Sequence, residues 1–166
     1  IDFRKLESGK LKLETQRLNV VAFCKDLTID YEALCQQKNI LFYFQPSKTV
    51  IQLDFDAEKL ESILSNLISN AFKYTSEEGK IIFSIDDAED AVLFTIEDNG
   101  IGIPEEYHDV IFDSFFQVDP SRASAMGDGI GLSFVKHLVE LHGGTVKVES
   151  QPERGGKFMF SIPKKD

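Results

Sequence analysis

Three polar side chains at helical spacing have the chemistry to bind a metal ion and a phosphate. Asn66, Asn70 and Lys73 are separated by four and then three residues, so on a helix they lie within about 60° of one another. Carboxamide oxygens suit Mg²⁺, and an ammonium group suits a phosphate. A solvated helix face is the ordinary alternative. Because Asn is a poor helix former, two of them on one stripe favour the binding role.

A carboxylate followed by glycines forms a second candidate, suited to a nucleobase. Residues 92–98 alternate in polarity, so Asp98 shares the apolar, buried face of a predicted strand. A buried carboxylate needs a hydrogen-bond donor, and the amino group of adenine can serve as one. Gly100 and Gly102 follow at once and let the backbone approach a ligand closely. By itself this pattern also fits an ordinary turn after a strand.

Glycines also open a predicted helix further along the chain. Gly127, Gly129 and Gly131 precede and begin an amphipathic segment that includes Ile130 and Leu132. Backbone amides at a glycine-rich helix N-terminus can bind phosphate. The spacing differs from the dinucleotide-binding pattern and from the P-loop. Taken alone, the segment fits a flexible hinge equally well.

Helices and hairpins predicted along the chain would hold these residues in place. Asp56 is a predicted N-cap and Gly143 a predicted helix end. Hydrophobic residues at helical spacing predict helices over 24–38, 56–74 and 130–142. Paired β-rich segments predict hairpins of 40–44 with 50–55, 80–86 with 91–98, and 145–149 with 157–162. We therefore expect an α/β two-layer sandwich, in which about three helices pack on one face of a mixed, mostly antiparallel sheet.

Length, charge and cysteine content exclude several classes of protein. The 166 residues, 42% of them hydrophobic, suffice for one domain with a core, and no apolar run reaches the ~20 residues of a membrane helix. The N-terminal residues lack the apolar stretch of a signal peptide. A net charge of −10 with a pI near 4.8 argues against a nucleic-acid surface. Cys24 and Cys35 fit no disulfide or metal spacing, so we expect reduced thiols in an intracellular setting.

In combination, these segments resemble the catalytic and ATP-binding domain of sensor histidine kinases. That domain belongs to the wider superfamily of gyrase, heat-shock chaperone and mismatch-repair ATPases, which share the Bergerat ATP-binding fold. The resemblance covers about residues 17–163. Four motifs carry it in the family's order: an N box at 66–75, a first glycine box at 98–103, an F box at 111–117 and a second glycine box at 127–132.

The resemblance implies ATP and Mg²⁺ as cofactors and a role for each motif. Asp98 would hold the adenine amino group, and Asn66 and Asn70 would bind Mg²⁺. Lys73 would contact phosphate together with glycine-box amides, under a lid at 118–129. The implied catalytic residues are Asn66, Lys73 and Gln117. The implied nucleotide-binding residues are Asn66, Asn70, Lys73, Tyr74, Asp98, Gly100, Gly102, Ile103, Gly127, Gly129, Ile130, Gly131 and Leu132.

One residue type favours phosphoryl transfer over ATP hydrolysis. Related ATP hydrolases carry a Glu, which activates water, where this chain has Asn66, and a carboxamide cannot act as a general base. The resemblance therefore implies a protein-histidine kinase that donates the γ-phosphoryl group of ATP to a histidine on a dimerisation domain. His108, His137 and His142 lack the H-E/D-x-x-x-P context of that acceptor and are interpreted as structural or surface residues. This chain is thus expected to bind nucleotide without autophosphorylating.

The resemblance also implies partners and a place within a longer protein. We expect residues 1–16 to be the end of a dimerisation-helix or linker segment, and residues 17–166 to be the catalytic domain. The expected partners are the phosphoacceptor domain of the same kinase and a response regulator receiver domain, without nucleic acid or direct membrane contact. The parent is expected to be a homodimer, a hybrid or inner-membrane sensor whose catalytic domain is cytoplasmic.

Two departures from the family pattern keep other functions open. Asp128 stands where Thr or Ser is usual, and Gln117 stands where many members have Arg. The first puts a negative charge near the phosphates, and the second removes a positive one. A degenerate, non-enzymatic nucleotide-binding or docking module is therefore one alternative. An ATP hydrolase of the same fold and a serine kinase of the anti-sigma type are the others.

Overall fold

The chain forms two layers, a sheet and the helices that cover one of its faces. This computed structural model describes residues 12–103, 105–108, 110–112, 130–151 and 155–165. In chain order the elements are β1 (Gln16–Asn19), α1 (Val20–Gln37), β2 (Leu41–Pro46), β3 (Gln52–Phe55), α2 (Ala57–Tyr74), β4 (Lys80–Asp87), β5 (Ala91–Asp98), a 3₁₀ turn (Glu105–Tyr107), α3 (Ile130–Leu141), β6 (Val146–Gln151) and β7 (Gly155–Pro163).

The main sheet has the strand order β2-β4-β5-β7-β6. Its neighbouring strands are antiparallel except for β2 and β4, which run parallel with Phe42 opposite Ile81. β1 and β3 form a separate antiparallel pair. The predicted fold class, a two-layer sandwich with a mixed, mostly antiparallel sheet, is confirmed. The predicted hairpins β4/β5 and β6/β7 are confirmed as well.

The predicted hairpin between the segments that form β2 and β3 is wrong. β2 lies beside β4, whereas β3 lies beside β1. The Asn19 side chain accepts a hydrogen bond from the backbone N–H of Ile51 (3.1 Å), which ties the start of β3 to the start of α1. Phe44 on β2 contacts Phe83 on β4, with ring centroids 5.3 Å apart. The tertiary contacts that β2 makes with β4, and β3 with β1, thus outweigh the local tendency of β2 and β3 to form a hairpin with each other.

The core lies between the buried face of the sheet and the apolar sides of the helices. Alternate residues of β4, β5 and β7 point into it, including Phe94 and Phe160, whose stacked rings have centroids 4.6 Å apart. Strands whose apolar residues alternate and a helix whose apolar residues recur about every 3.6 positions therefore bury one shared core. The fully buried residues that α2 contributes are Leu60, Ile63, Leu64, Leu67 and Ile68.

Two further expectations concern the cysteines and the membrane. Cys24 and Cys35 are buried free thiols on α1, and burial raises the pKa of each. Among the described helices, none is both long and apolar enough to cross a membrane.

A buried polar cluster fixes the start of α2. Asp56 caps the helix, and its Oδ1 accepts a hydrogen bond from the backbone N–H of Lys59 (3.1 Å). Its Oδ2 accepts from Lys59 Nζ (2.8 Å) and from the backbone N–H of Glu14 (2.8 Å). Burial opposes ionisation of the carboxylate, but these hydrogen bonds lower the pKa of Asp56 below its usual range. The predicted cap is confirmed, and it also fastens the segment that leads into β1.

His142, directly after α3, joins the same cluster. Its Nε2 accepts a hydrogen bond from the backbone N–H of Asp56 (3.2 Å), and its Nδ1 donates to the backbone oxygen of Leu138 (2.9 Å). A neutral imidazole satisfies both contacts, and burial lowers the pKa of His142. The predicted structural role is confirmed. Although a helix C-terminus favours a positive charge, the ring stays neutral because it is buried and its Nε2 must accept a hydrogen bond.

We expect the stability of the domain to fall on acidification because His142 is neutral in the fold. The unfolded chain protonates this residue near its ordinary pKa of 6.5, and the folded chain does so only at lower pH. Its contribution to the free energy of unfolding is therefore lost as the pH falls below about 6.5. His142→Gln retains an acceptor and does not titrate. Denaturant titrations should show a loss of about 1 kcal/mol at about pH 8.

The decline in stability toward about pH 5 should also be shallower in His142→Gln than in the wild type. His137→Gln, also on α3, is the control and should keep the wild-type pH dependence. An unchanged decline in His142→Gln would contradict the neutral, hydrogen-bonded state of this residue.

Candidate functional site

The polar stripe of α2 meets the first turn of α3. Asn66 is half-buried, and its Nδ2 donates a hydrogen bond to the backbone oxygen of Ser62 (2.8 Å). Its Oδ1 faces Gly131, since a Cβ built on that glycine would lie only 2.7 Å from it. The structure therefore brings the predicted metal ligand to the start of the glycine-rich helix, where backbone amides can bind an anion.

The other two residues of the stripe lie further along α2. Asn70 is half-buried and Lys73 is exposed. Neither side chain has a hydrogen-bond or ion-pair partner among the residues that the structure describes. A carboxamide oxygen and an ammonium group are thus available there for a metal ion and an anion.

Asp98 ends β5 as a largely desolvated carboxylate. Residues 92–98 alternate as predicted, and Asp98 is only 9% exposed. Its Oδ1 accepts a hydrogen bond from the backbone N–H of Gly100 (2.8 Å), and the N–H of Gly156 donates to the same carboxylate. Burial raises the pKa of Asp98 despite these two donors. Such a carboxylate is a strong acceptor for a ligand that brings its own N–H.

Open space adjoins both groups of predicted residues. A cavity of about 310 Å³ runs along α2 and reaches Asn66 and Ser69. A second cavity, of about 280 Å³, lies beside the carboxylate at the end of β5. It is lined by Glu97, Asp98, Glu149, Ser150, Gly155, Gly156 and Lys157.

The glycine loop after β5 is pressed against the C-terminal end of α2. A Cβ on Gly100 would lie 2.3 Å from the backbone oxygen of Tyr74, the half-buried last residue of the helix, so only glycine fits there. Gly102 has a φ of 72°, in the left-handed region. Ile103 closes the loop by donating its backbone N–H to Ser150 Oγ. The loop is thereby held against both α2 and β6.

Three contributors to the site lie outside the four sequence motifs. Gly155 has a φ of 89°, and a Cβ there would lie 1.9 Å from the backbone oxygen of Asp98. Gly156 follows it and donates to the Asp98 carboxylate. Ser150 bonds the glycine loop. Two consecutive glycines at the start of a strand were a usable signal of close backbone approach, whereas Ser150 offered none.

Several predicted residues lie outside the described part of the chain. Of the F box, Ile111 is buried and Phe112 contacts Phe158, with ring centroids 6.2 Å apart. α3 begins at Ile130, and Leu132 is partly buried against the core. Outside the described residues are Gln117, Gly127, Asp128, Gly129 and the rest of the predicted lid at 118–129.

Comparison with known proteins bears on the resemblance inferred from the motifs. Residues 55–166 match the family model described as histidine kinase-, DNA gyrase B-, and HSP90-like ATPase. The chain is 36% identical to Histidine kinase P4 of Formosa agariphila over 98% of its own length and 12% of that protein. It is 30% identical to Sensor histidine kinase WalK of Bacillus subtilis over 100% of its length and 28% of that protein. The chain thus spans less than a third of these curated relatives.

Solved structures share the fold. The catalytic domain of histidine kinase ThkA superposes with a TM-score of 0.81 at 29% identity, covering 91% of this chain and 96% of that one. ThkA in complex with response regulator protein TrrA gives a TM-score of 0.81 at 26% identity, covering 98% of this chain and 46% of that one. The predicted resemblance to histidine kinase catalytic domains is confirmed. Because the family model matches most of the chain, the chain belongs to the histidine kinase-, DNA gyrase B-, and HSP90-like ATPases, an ATP-binding family.

Proposed function

We propose that this chain is the ATP-binding catalytic domain of a sensor histidine kinase, and that it donates the γ-phosphoryl group of ATP to a histidine on a dimerisation domain. The observation that carries the proposal is the contact between Asn66 on α2 and Gly131 on α3. It joins a neutral oxygen ligand to a helix N-terminus, which suits the metal ion and phosphates of a nucleotide. The family membership and the kinase relatives support the same reaction.

Asp98 is proposed to bind the amino group of adenine. Its carboxylate is desolvated, adjoins a cavity, and already receives N–H groups from Gly100 and Gly156. Its remaining lone pairs can accept from an amino group. Guanine presents a carbonyl oxygen at the corresponding position, which a carboxylate repels, so ATP should be preferred to GTP. Gly102 and Ile103 are proposed to continue the contact with the nucleotide.

Asn66 and Asn70 are proposed to hold Mg²⁺, and Lys73 to contact a phosphate. Two carboxamide oxygens and an ammonium group on one helix face are a suitable donor set for a metal-bound triphosphate. Mg²⁺ supplies neutralisation of the phosphate charge when it is bound. The motif resemblance alone supports the other members of the proposed site, which are Gln117 as a catalytic residue and Tyr74, Gly127, Gly129, Ile130 and Leu132 as nucleotide contacts.

Transfer to a histidine is proposed in preference to hydrolysis because Asn66 cannot deprotonate water. Phosphoryl transfer requires little covalent chemistry from the protein, so the contribution of this chain is to position ATP and neutralise its charge. His142 is buried with both ring nitrogens hydrogen-bonded, which leaves it unable to act as the acceptor. His108 and His137 lack the sequence context of an acceptor histidine. We therefore propose that a separate dimerisation domain supplies the acceptor histidine.

The proposal extends to the longer protein. Residues 1–16 are proposed as the end of a linker from a dimerisation helix, and residues 17–166 as the catalytic domain; residues 1–11 lie outside the described part. The likeness to ThkA, which has been solved with a response regulator, supports a receiver domain as the downstream partner. The parent is proposed to be a homodimeric hybrid or membrane sensor, with this domain in the cytoplasm.

Calorimetric titration with ATP and Mg²⁺ tests the nucleotide assignment. We expect ATP to bind and GTP not to, and Asp98→Asn to weaken ATP binding about tenfold, or about 1.4 kcal/mol. Asp86→Asn, at an exposed position of β4, is the matched control and should bind as the wild type does. A folded chain that binds neither nucleotide would overturn the proposal.

Radiolabelled ATP tests the reaction itself. The chain alone should label none of its own histidines. Addition of a related kinase's dimerisation domain should give an acid-labile phosphoryl label on the acceptor histidine of that domain. Release of free phosphate without labelled protein would instead support an ATP hydrolase of this fold. Binding of ATP with neither product would support a non-enzymatic module.

Gly131→Ala should weaken nucleotide binding without lowering the stability of the fold. Alanine favours a helix by about 1 kcal/mol over glycine, so the melting temperature should hold or rise. The added Cβ would lie 2.7 Å from Asn66 Oδ1, which must then swing away. By calorimetry, we expect ATP affinity to fall about tenfold in Mg²⁺ and less in EDTA.

Lys136→Ala, at an exposed position of α3, is the control for this experiment and should bind ATP as the wild type does. Equal losses of affinity in Gly131→Ala with and without Mg²⁺ would argue against a metal-binding role for Asn66. An unchanged affinity in Mg²⁺ would argue against any role of this junction in binding ATP.

A further inference from the structure

Ser150 on β6 joins two segments that are distant in sequence. Its Oγ accepts a hydrogen bond from the backbone N–H of Ile103 (2.5 Å) and donates one to the backbone oxygen of Gly155 (2.9 Å). Ile103 ends the glycine loop after β5, and Gly155 begins β7. The half-buried hydroxyl thus uses its single donor and one of its acceptor positions to bridge them.

The two joined segments are the ones that supply N–H donors to Asp98. Gly100, in the loop, donates to Oδ1 at 2.8 Å, and Gly156, next to Gly155, donates to the same carboxylate. A Cβ built on Gly156 would lie 3.4 Å from Asp98 Oδ2 and 3.5 Å from Ser150 Oγ. Ser150 is therefore separated from the carboxylate by one backbone segment, and it lines the cavity beside it.

We propose that Ser150 is a positioning residue for base recognition. Its hydroxyl holds the glycine loop and the start of β7 at the spacing at which Asp98 accepts the amino group of adenine. The inference rests on the proposed function, since it concerns the same nucleotide. Ser150 acts through the two backbone segments and does not itself contact the nucleotide. Loss of the hydroxyl lets the loop and the strand separate, and the carboxylate is then free to turn.

Other contacts keep both segments folded when this bridge is removed. Ile103 has a further hydrogen bond besides the one to Ser150, because its backbone oxygen accepts from His108 Nε2 (3.0 Å). Gly155 lies opposite Gln151 within the β6–β7 ladder. The bridge is therefore not needed for the loop or the strand to form, and its removal changes their separation at Asp98.

The affinity for ATP relative to inosine triphosphate tests this role, because the inosine base lacks the amino group. Ser150→Thr and Ser150→Val form a matched pair of nearly equal shape that differ in the hydroxyl, and both residues suit a strand. In competition titrations we expect Ser150→Thr to keep the wild-type ratio of affinities within about twofold. Ser150→Val and Ser150→Ala should lower that ratio about tenfold through weaker ATP binding.

Ser161→Ala is the control within the same sheet. The Ser161 hydroxyl on β7 accepts a hydrogen bond from the backbone N–H of Thr145 (3.1 Å), the residue before β6. The substitution therefore removes a side-chain bridge to β7 that does not involve Asp98. It should lower the melting temperature about as Ser150→Ala does, and it should leave the ratio of affinities unchanged.

The outcomes distinguish this inference from the proposed function. If the wild-type chain shows no preference for ATP, the assignment of Asp98 to adenine fails, and the role of Ser150 fails with it. If the wild type prefers ATP and Ser150→Val keeps that preference, only the role of Ser150 is overturned. Equal losses of ATP and inosine triphosphate affinity in Ser150→Val would show a purely structural contribution and would overturn the role as well.

Discussion

A carboxylate buried at the end of β5 dictates much of the geometry around it. Asp98 loses most of its water on folding, so its charge requires N–H donors from the protein. Gly100 and Gly156 supply them from two backbone segments that approach very closely. A side chain at Gly100 would collide with Tyr74, and one at Gly155 would collide with Asp98 itself. Glycine is thus needed at these positions so that backbone N–H donors can come close to one buried carboxylate.

α2 meets a different constraint, because one helix serves both the core and the site. Its fully buried apolar side fixes the rotation of the helix about its axis, and this sets the direction of Asn66 and Asn70. Asp56 holds the N-terminal end, and the glycine loop at Gly100 presses against the C-terminal end. A helix held along one side and at both ends is a rigid support for ligand-binding side chains.

Residues close in sequence were sufficient to predict most elements, including the cap at Asp56 and the β4/β5 hairpin. The parallel pairing of β2 with β4 depends on contacts of distant residues, so local patterns favoured a hairpin instead. The same distinction between local patterns and distant contacts applies to the residues of the candidate site. Asp98 could be singled out because a carboxylate is unusual on an apolar strand face. Ser150 could not, since its partner Ile103 lies 47 residues away, and the neutral state of His142 depends on Asp56, 86 residues away.

The cluster at Asp56 also bears on where the cooperative folding unit begins. The backbone N–H of Glu14 donates to the same carboxylate as Lys59, and the N–H of Asp56 binds His142. The segment before β1 is therefore more than a tether, because displacing it leaves a buried charge with fewer donors. The N-terminal end of α2 and the C-terminal end of α3 meet at this cluster. Gly131 lies at the other end of α3, and Asn66 and Asn70 lie in the middle and second half of α2. The segment before β1 and the candidate site are thus joined through the same two helices.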